Sequence, residues 1–69
     1  MHVTIVIGQD AEIDLSQPVL QQLEGGAYTT TRIAPGGRRI VISGDSPGEE
    51  RLRFQLEDET EIDIDVVVT

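Results

Sequence analysis

The fold class of this 69-residue chain is decided by residues 51–68, Arg51-Leu52-Arg53-Phe54-Gln55-Leu56-Glu57-Asp58-Glu59-Thr60-Glu61-Ile62-Asp63-Ile64-Asp65-Val66-Val67-Val68. Apolar and charged residues alternate on both sides of an acidic turn, which is the pattern of two strands that each bury one face. The apolar positions are even-numbered in both halves. A three-residue loop at 57–59 therefore places them on one side of an antiparallel hairpin.

The same register makes a prediction about the charged residues of this hairpin. It sets Phe54 opposite Ile62 in the core and Arg53 opposite Asp63 on the outer face. One step further along, Arg51 meets Asp65 in the same way. Two of the five basic residues are thus expected to form cross-strand ion pairs.

Two more pairs of strands are predicted upstream. Residues 3–7 and 11–15 alternate in the same way around a short turn, and pairing residue 7 with residue 11 collects their apolar side chains on one face. Residues 28–33 and 38–43 flank Ala34-Pro35-Gly36-Gly37, which fits a type II turn with Pro second and Gly third. Both segments are expected to form hairpins.

The segment between these hairpins has the pattern of a short helix at about 16–24. Ser16 suits the N-cap and Pro18 the first turn. Val19, Leu20 and Leu23 share one helical face, and the glycines at 25 and 26 provide a stop. We therefore predict a mainly β, β-dominated α+β fold in a single domain over residues 1–69. About six antiparallel strands form three hairpins, with one short helix, in a small barrel or a curled sheet.

Composition limits what the chain does. It carries 13 acidic and 5 basic residues, a net charge of −8, and no cysteine, so no disulfide or Cys-based zinc site is available. A chain this short is not expected to form a deep catalytic cleft. No signal peptide or membrane-spanning run is recognisable, so a cytoplasmic location without membrane contact is expected.

The charge also points to a class of partner. Phosphate contacts need clustered Lys and Arg, so direct nucleic-acid binding is not expected. A basic protein partner fits the charge better. The acidity is equally consistent with solubility alone or with a salt-rich host.

No catalytic or metal-binding constellation is recognisable. His2 is the single histidine and has no nucleophile near it in sequence. The carboxylates recur two apart, as on a solvated strand face, and no loop has the spacing of an EF-hand. The sequence therefore predicts no enzyme activity, no catalytic residue, no metal site and no cofactor.

Two groups of residues are candidates for contacts with a partner. The first is an acidic face on the predicted strands and the last turn: Glu12, Asp14, Glu57, Asp58, Glu59, Glu61, Asp63 and Asp65. The second is the tip of the middle hairpin, where backbone N–H groups of glycines and guanidinium groups of arginines could bind an acidic group. Its residues are Arg32, Gly36, Gly37, Arg38 and Arg39.

Residues 3–42 resemble the swapped-hairpin antitoxins and transition regulators of the AbrB/MazE type. The resemblance lies in Gly8-Gln9 and in the apolar spacing of Ile13-Asp14-Leu15-Ser16-Gln17-Pro18-Val19-Leu20-Gln21-Gln22-Leu23. It implies an intertwined, DNA-binding dimer with the order strand, turn, strand, short helix, strand, turn, strand. The family's first hairpin carries basic DNA contacts, whereas residues 1–31 contain no Lys or Arg.

Three functions follow as hypotheses. The first is a non-enzymatic acidic protein-binding module, in its sharper form a small inhibitor whose acidic strand faces mimic nucleic-acid charge and block a basic partner. The second is an AbrB/MazE-like dimeric antitoxin or DNA-binding regulator. The third is a structural assembly subunit of the phage type, in which open sheet edges and the valines Val6 and Val67 make homodimer contacts.

Overall fold

The computed structural model describes residues 1–69 and contains seven strands and no helix. The strands are β1 (His2–Ile5), β2 (Asp10–Asp14), β3 (Val19–Glu24), β4 (Thr29–Ile33), β5 (Arg39–Gly44), β6 (Gly48–Leu56) and β7 (Glu61–Val68). The mainly β prediction is confirmed. The predicted helix at about 16–24 is wrong, because β3 occupies this segment.

Two open sheets enclose one core. The four-stranded sheet has the order β1-β7-β6-β3, and the three-stranded sheet has the order β2-β5-β4. All neighbours are antiparallel except β1 and β7, which run parallel. The sheets do not close on each other, so the predicted barrel or single curled sheet is replaced by two layers with four free edges.

Alternating side chains from both sheets form the core. Ten apolar residues are buried between the layers, and six of the ten come from β6 and β7: Ile5, Ile13, Ile40, Ile42, Leu52, Phe54, Leu56, Ile64, Val66 and Val68. The central strands β6, β7 and β5 thus bury one face each and turn polar residues outward, as a half-buried sheet requires.

The hairpin formed by β6 and β7 has the register that the sequence predicts. Phe54 pairs with Ile62, and Arg53 pairs with Asp63. The backbone N–H of Leu56 donates to the carbonyl of Thr60 at 2.8 Å, which closes the three-residue loop. This loop places Glu59 at a φ of 71°.

The hairpin formed by β4 and β5 is also confirmed. The N–H of Gly37 donates to the carbonyl of Ala34 at 2.9 Å, and Gly36 has a φ of 90°. Both features belong to a type II turn with glycine in the third position. Ile33 pairs with Ile40 directly beyond it.

The predicted hairpin of β1 with β2 is wrong, and only two of the three predicted hairpins exist. Ile5 pairs with Val68 in the four-stranded sheet, whereas Ile13 pairs with Ile40 in the three-stranded sheet. The chain changes sheets between these strands at Gly8, where φ is 85°. Ile5 and Ile13 are buried and Val3, Ala11 and Leu15 are partly buried against the core, but Ile7 is 45% exposed. The two strands approach the core from opposite layers. Alternation predicts the buried face of a strand and does not specify the neighbour.

Two β-bulges explain why β3 resembles a helix in sequence. Val19 pairs with Leu56 and Gln21 with Gln55, so Leu20 is an extra residue. Leu23 is extra in the same way between the following two pairs. Each insertion lengthens the local repeat from two residues to three, which produces the helical spacing of the leucines. The short helix that the AbrB/MazE resemblance implies in this segment is therefore absent.

Candidate protein-binding surface

One surface carries most of the charge of the molecule. It consists of the outward side chains of β3, β6 and β7 together with the turn at 57–59, and we call it the acidic face. Strand alternation turns these residues to solvent, while their neighbours in sequence fill the core. Its carboxylates are Glu24, Glu49, Glu57, Asp58, Glu59, Glu61, Asp63 and Asp65, all of them exposed.

Only two arginines lie among these eight carboxylates. Arg51 donates to Asp65 with Nε and Oδ1 2.9 Å apart, which raises the pKa of Arg51 and lowers the pKa of Asp65. Arg53 donates to Asp63 at 2.9 Å and also approaches Glu24 at 3.2 Å and Glu61 at 3.8 Å. Eight negative and two positive groups leave the acidic face with a net charge of −6.

The outer face of the three-stranded sheet carries much less net charge. Its four carboxylates face two arginines, with Arg32 3.1 Å from Asp10 and Arg39 2.7 Å from Asp14, while Asp45 accepts from the hydroxyl of Thr30. Glu12 and Asp45 lack an ion pair there, so this face has a net charge of −2. The remaining charges, Glu50 and Arg38, cancel, so three quarters of the net charge of −8 lies on one side.

The structure separates the predicted acidic residues into two groups. Six of the eight, residues 57–59 together with Glu61, Asp63 and Asp65, lie on the acidic face. Glu12 and Asp14 lie on β2, on the opposite side of the molecule, because β2 belongs to the other sheet. A single flat partner therefore cannot contact all eight.

Two members of the acidic face are not among the residues predicted from sequence. Glu49 has the same parity as Arg51 and Arg53, so extending the alternation of β6 by one step would have found it. The incorrect helix prediction for residues 16–24 gave no strand orientation for Glu24. Glu24 reaches the acidic face only because the bulge at Leu23 turns it to the side of Arg53.

A shallow groove of about 610 Å³ runs across the acidic face. His2 lies in it and pairs with Asp65 on the neighbouring strand. Glu24 and Glu49 also line the groove. A ligand in this groove would meet an imidazole, carboxylates and the guanidinium of Arg51, and no serine lines it.

The predicted contact site at the hairpin tip is largely used within the chain. Arg32 and Arg39 form the ion pairs described above, and Gly37 packs against Pro18 and donates its N–H to the turn. Arg38 is the one arginine without a carboxylate within 4.0 Å. The five residues stay neighbours in space, but only one guanidinium remains free for an outside group.

Glu50 is the most heavily hydrogen-bonded carboxylate of the chain. Its Oε1 accepts from the N–H groups of Gly26 and Ala27 at 2.8 and 3.0 Å. Its Oε2 accepts from the N–H of Tyr28 at 2.9 Å and the hydroxyl of Thr29 at 2.8 Å. The side chain thereby ties β6 to the loop that carries the chain from one sheet to the other.

Glu50→Gln should destabilise the fold by about 2 kcal/mol at neutral pH, because an amide NH₂ would face two donors. Burial raises the pKa of Glu50, but the four hydrogen bonds outweigh it and hold the pKa below 4.5. The contribution of Glu50 is therefore complete above pH 4.5 and is lost as the pH falls through the lowered pKa.

Urea unfolding of the wild type and Glu50→Gln between neutral and acidic pH measures this effect. The difference in free energy of unfolding should shrink as the pH falls. Glu49→Gln is the matched control, since the neighbouring Glu49 is exposed and makes no such hydrogen bonds. A difference that stays constant with pH would show that the charge of Glu50 is not what the loop binds.

The chain contains no metal-binding cluster, and comparison with known proteins gave no match. No group of three or more histidines and carboxylates is arranged to hold a metal ion. The structure has no helix of the length and apolarity that crossing a membrane takes. No family model, no curated protein and no solved structure matches the chain.

Proposed function

We propose that this chain is a non-enzymatic protein-binding module whose acidic face binds a basic partner. The observation that carries the proposal is the uneven charge, −6 on the acidic face against −2 on the outer face of the opposite sheet. A surface of one sign steers an oppositely charged partner and fixes its orientation. Solubility alone would be served equally well by an even distribution.

Within the acidic face, three residues are the strongest candidates for direct contact. Glu49, Glu57 and Glu59 are exposed and have no arginine partner. Asp58 has a structural task, because it accepts from the hydroxyl and the N–H of Thr60 at 2.6 and 3.1 Å. The aspartates on β7 are ion-paired with Arg51 and Arg53. They therefore add to the negative electrostatic potential of the acidic face, but they offer a partner few free hydrogen-bond acceptors.

In its sharper form the module is an inhibitor that mimics nucleic-acid charge. Outward carboxylates two apart on a strand are spaced by about 7 Å, which gives a regular row of negative groups. A basic groove that binds a phosphate backbone would accept such a row. Duplex DNA and the module should then compete for the partner, and salt should weaken both.

Charge reversal tests the proposal with a matched control. Glu49→Lys and Glu57→Lys should each weaken binding of the partner by about tenfold, the effect expected when a contact charge is reversed. Glu12→Lys makes the same charge change at an exposed, unpaired strand position of the opposite sheet. It should change the affinity by less than about twofold.

Isothermal titration with the purified partner at two salt concentrations provides the affinities. Circular dichroism of each variant confirms that the fold is retained. Equal losses for Glu12→Lys and Glu49→Lys would mean that net charge alone matters and would remove the acidic face as the site. Unchanged affinity in all three would remove the charge argument altogether.

No observation on the structure favours the DNA-binding alternative. The segment expected to form the family's helix is a strand, and the first basic residue is Arg32. The cytoplasmic location remains a prediction from sequence.

A further inference from the structure

The edge strand β1 has free backbone groups along one side. Its other side pairs in parallel with β7, and the N–H of Thr69 donates to the carbonyl of Ile5 at 2.9 Å. Odd-numbered residues of β1 therefore point their N–H and carbonyl groups at β7. Because the direction alternates along a strand, His2 and Thr4 point theirs at the open edge. Both of these residues are exposed.

The other three sheet edges are less open to an added strand. Charges, bulges and short length are the usual means by which an edge avoids pairing with another chain. β2 carries three carboxylates, and β3 is interrupted by two bulges. On β4, Thr29 is only 4% exposed. β1 has no acid, no proline and no bulge, so its length of four residues is its one protection, and a pairing there is small and weak.

The charge distribution favours a second copy of this chain at the β1 edge. Residues 1–9 contain no Asp or Glu, although the whole chain contains 13. A second copy carries the same charge of −8, so it can approach most closely where carboxylates are absent. A basic partner, by contrast, gains no ion pair from this stretch of the chain.

Apolar side chains flank β1 at both ends. Met1 is 66% exposed, Val6 51% and Ile7 45%, and these are three of the six large apolar residues that the single chain leaves exposed. Clustered apolar residues of this kind mark contact surfaces. Of the two valines expected to make homodimer contacts, Val6 lies at this edge. Val67 pairs with Thr4 one strand further inward.

We propose that a second copy of this chain pairs antiparallel with β1 about a two-fold axis at Val3. In this register His2 faces Thr4 of the second copy, and the two such pairs allow about four backbone hydrogen bonds. Val3, which packs partly buried against the core, faces Val3 of the second copy between them. The axis closes the assembly at two copies and joins the sheets in the order β3-β6-β7-β1-β1-β7-β6-β3.

The turn that follows β1 selects this register. The carbonyl of Val6 accepts from the N–H of Gln9 at 2.9 Å, so the chain itself occupies the backbone beyond Ile5. A second strand must therefore end opposite Ile5, which is where an axis at Val3 places Met1 of the second copy. The exposed side chains of Met1 and Val6 then become neighbours, and the axis repeats the contact at the other end.

The acidic faces of the two copies do not oppose this pairing strongly. The axis is perpendicular to the sheet, so both faces point the same way. The two β7 strands lie three strand spacings apart, about 14 Å, whereas the Debye length at about 0.15 M salt is about 8 Å. On β2, which follows β1 in the other layer, two of the three carboxylates are ion-paired within the chain.

The dimer does not depend on the proposed function, although it bears on it. A basic partner with two sites would bind the pair of acidic faces with avidity. Salt weakens the binding of a basic partner but strengthens the pairing of two copies of like charge. The failure of one proposal can therefore be told from the failure of the other.

Sedimentation of the wild type between about 20 µM and about 1 mM protein, at about 0.15 M and about 0.5 M salt, tests the dimer. We expect a monomer–dimer equilibrium that shifts toward the dimer at the higher salt concentration. Thr4→Pro removes an N–H that only the second copy would use, and it should weaken dimerisation at least about tenfold.

Glu12→Pro is the matched control for Thr4→Pro. It removes an N–H that points away from β5 at an exposed position on the free edge of β2, and it should leave the dimer intact. A wild type that stays strictly monomeric at the highest concentration in both salts would overturn the proposal. So would a dimer that Glu12→Pro abolishes and Thr4→Pro does not.

A charge swap keeps the test decisive if Thr4→Pro fails to fold. The double variants His2→Glu/Thr4→Glu and His2→Lys/Thr4→Lys change only exposed side chains and set like charges opposite each other in the dimer. Each alone should dimerise at least about tenfold more weakly than the wild type, and an equimolar mixture should form a heterodimer.

The wild type mixed with the lysine double variant is the control for this experiment. It should give no such heterodimer, because neither His2 nor Thr4 of the wild type offers a carboxylate. Equal binding of the lysine variant to both mixing partners would mean that its lysines contact the acidic face, and it would overturn the proposal. A mixture of the two double variants that remains monomeric would do the same.

Discussion

Phe54→Ala should remove a large part of the stability of the chain and lower its melting midpoint. Phe54 is fully buried and is the only phenylalanine, and it lies on β6, one of the two inner strands of the four-stranded sheet. Truncating a buried phenylalanine costs about 3 to 5 kcal/mol through lost burial and the cavity that remains. A domain of this length has a total stability of about 3 to 10 kcal/mol.

Thermal unfolding followed by circular dichroism measures the loss. A cost of this size lowers the midpoint by at least about 12 °C in a domain of this length. Val6→Ala is the control, since Val6 is 51% exposed and should change the midpoint little. A Phe54→Ala variant that melts cooperatively close to the wild type would mean that the two sheets do not pack as described.

Gly25→Ala is expected to be nearly as damaging, for steric reasons. A Cβ at this position would overlap Cδ2 of Leu52 and lie 3.2 Å from the carbonyl oxygen of Arg51. Leu52 is fully buried and has no room to move. Gly25 also has a φ of +105°, which a side chain disfavours. Overpacking and backbone strain together should cost about 3 kcal/mol or more.

Gly26→Ala separates the two contributions. Gly26 has a φ of +109°, but a Cβ there meets no atom within 4 Å. This variant should carry the backbone strain alone, about 1 to 2 kcal/mol. Urea unfolding of both variants gives the comparison. Equal losses would show that the loop moves away from Leu52 and that its close approach to β6 is not needed.

Much of the β6–β7 half of the molecule could be predicted because two kinds of residue agree on one register. Even-numbered apolar residues fix the buried side, and the opposite charges of Arg53 and Asp63 fix which residues face each other. A shift by one residue would put charge in the core and apolar residues outside. The turn at Pro35-Gly36 was predictable for a local reason, namely the φ that only glycine adopts easily.

The other half of the molecule depends on contacts that no local pattern encodes. β1 joins β7 across more than sixty residues of sequence, and β2 joins β5 in the other sheet. Closing such long loops is decided by the packing of the whole core. In β3, two bulges imitate helical periodicity, so local propensity and pattern both indicated the wrong structure.

The candidate surface was predictable to the same extent as the strands that carry it. The acids at 57–65 were found because their hairpin was found. Glu12 and Asp14 were assigned to the same surface because both sheets expose acids at alternate positions. Only the assignment of β2 to the other sheet separates them, and this assignment comes from the structure alone.

Binding of a basic partner by the acidic face is best tested by capture with three baits. Wild type, Glu49→Lys and Glu12→Lys would be immobilised and exposed to the host's proteins, with elution by salt. We predict that one basic protein is held in stoichiometric amount by the wild type and by Glu12→Lys, and that Glu49→Lys loses it. Retention of the same protein by all three baits, or its loss from Glu12→Lys alone, would rule out the acidic face as the binding site.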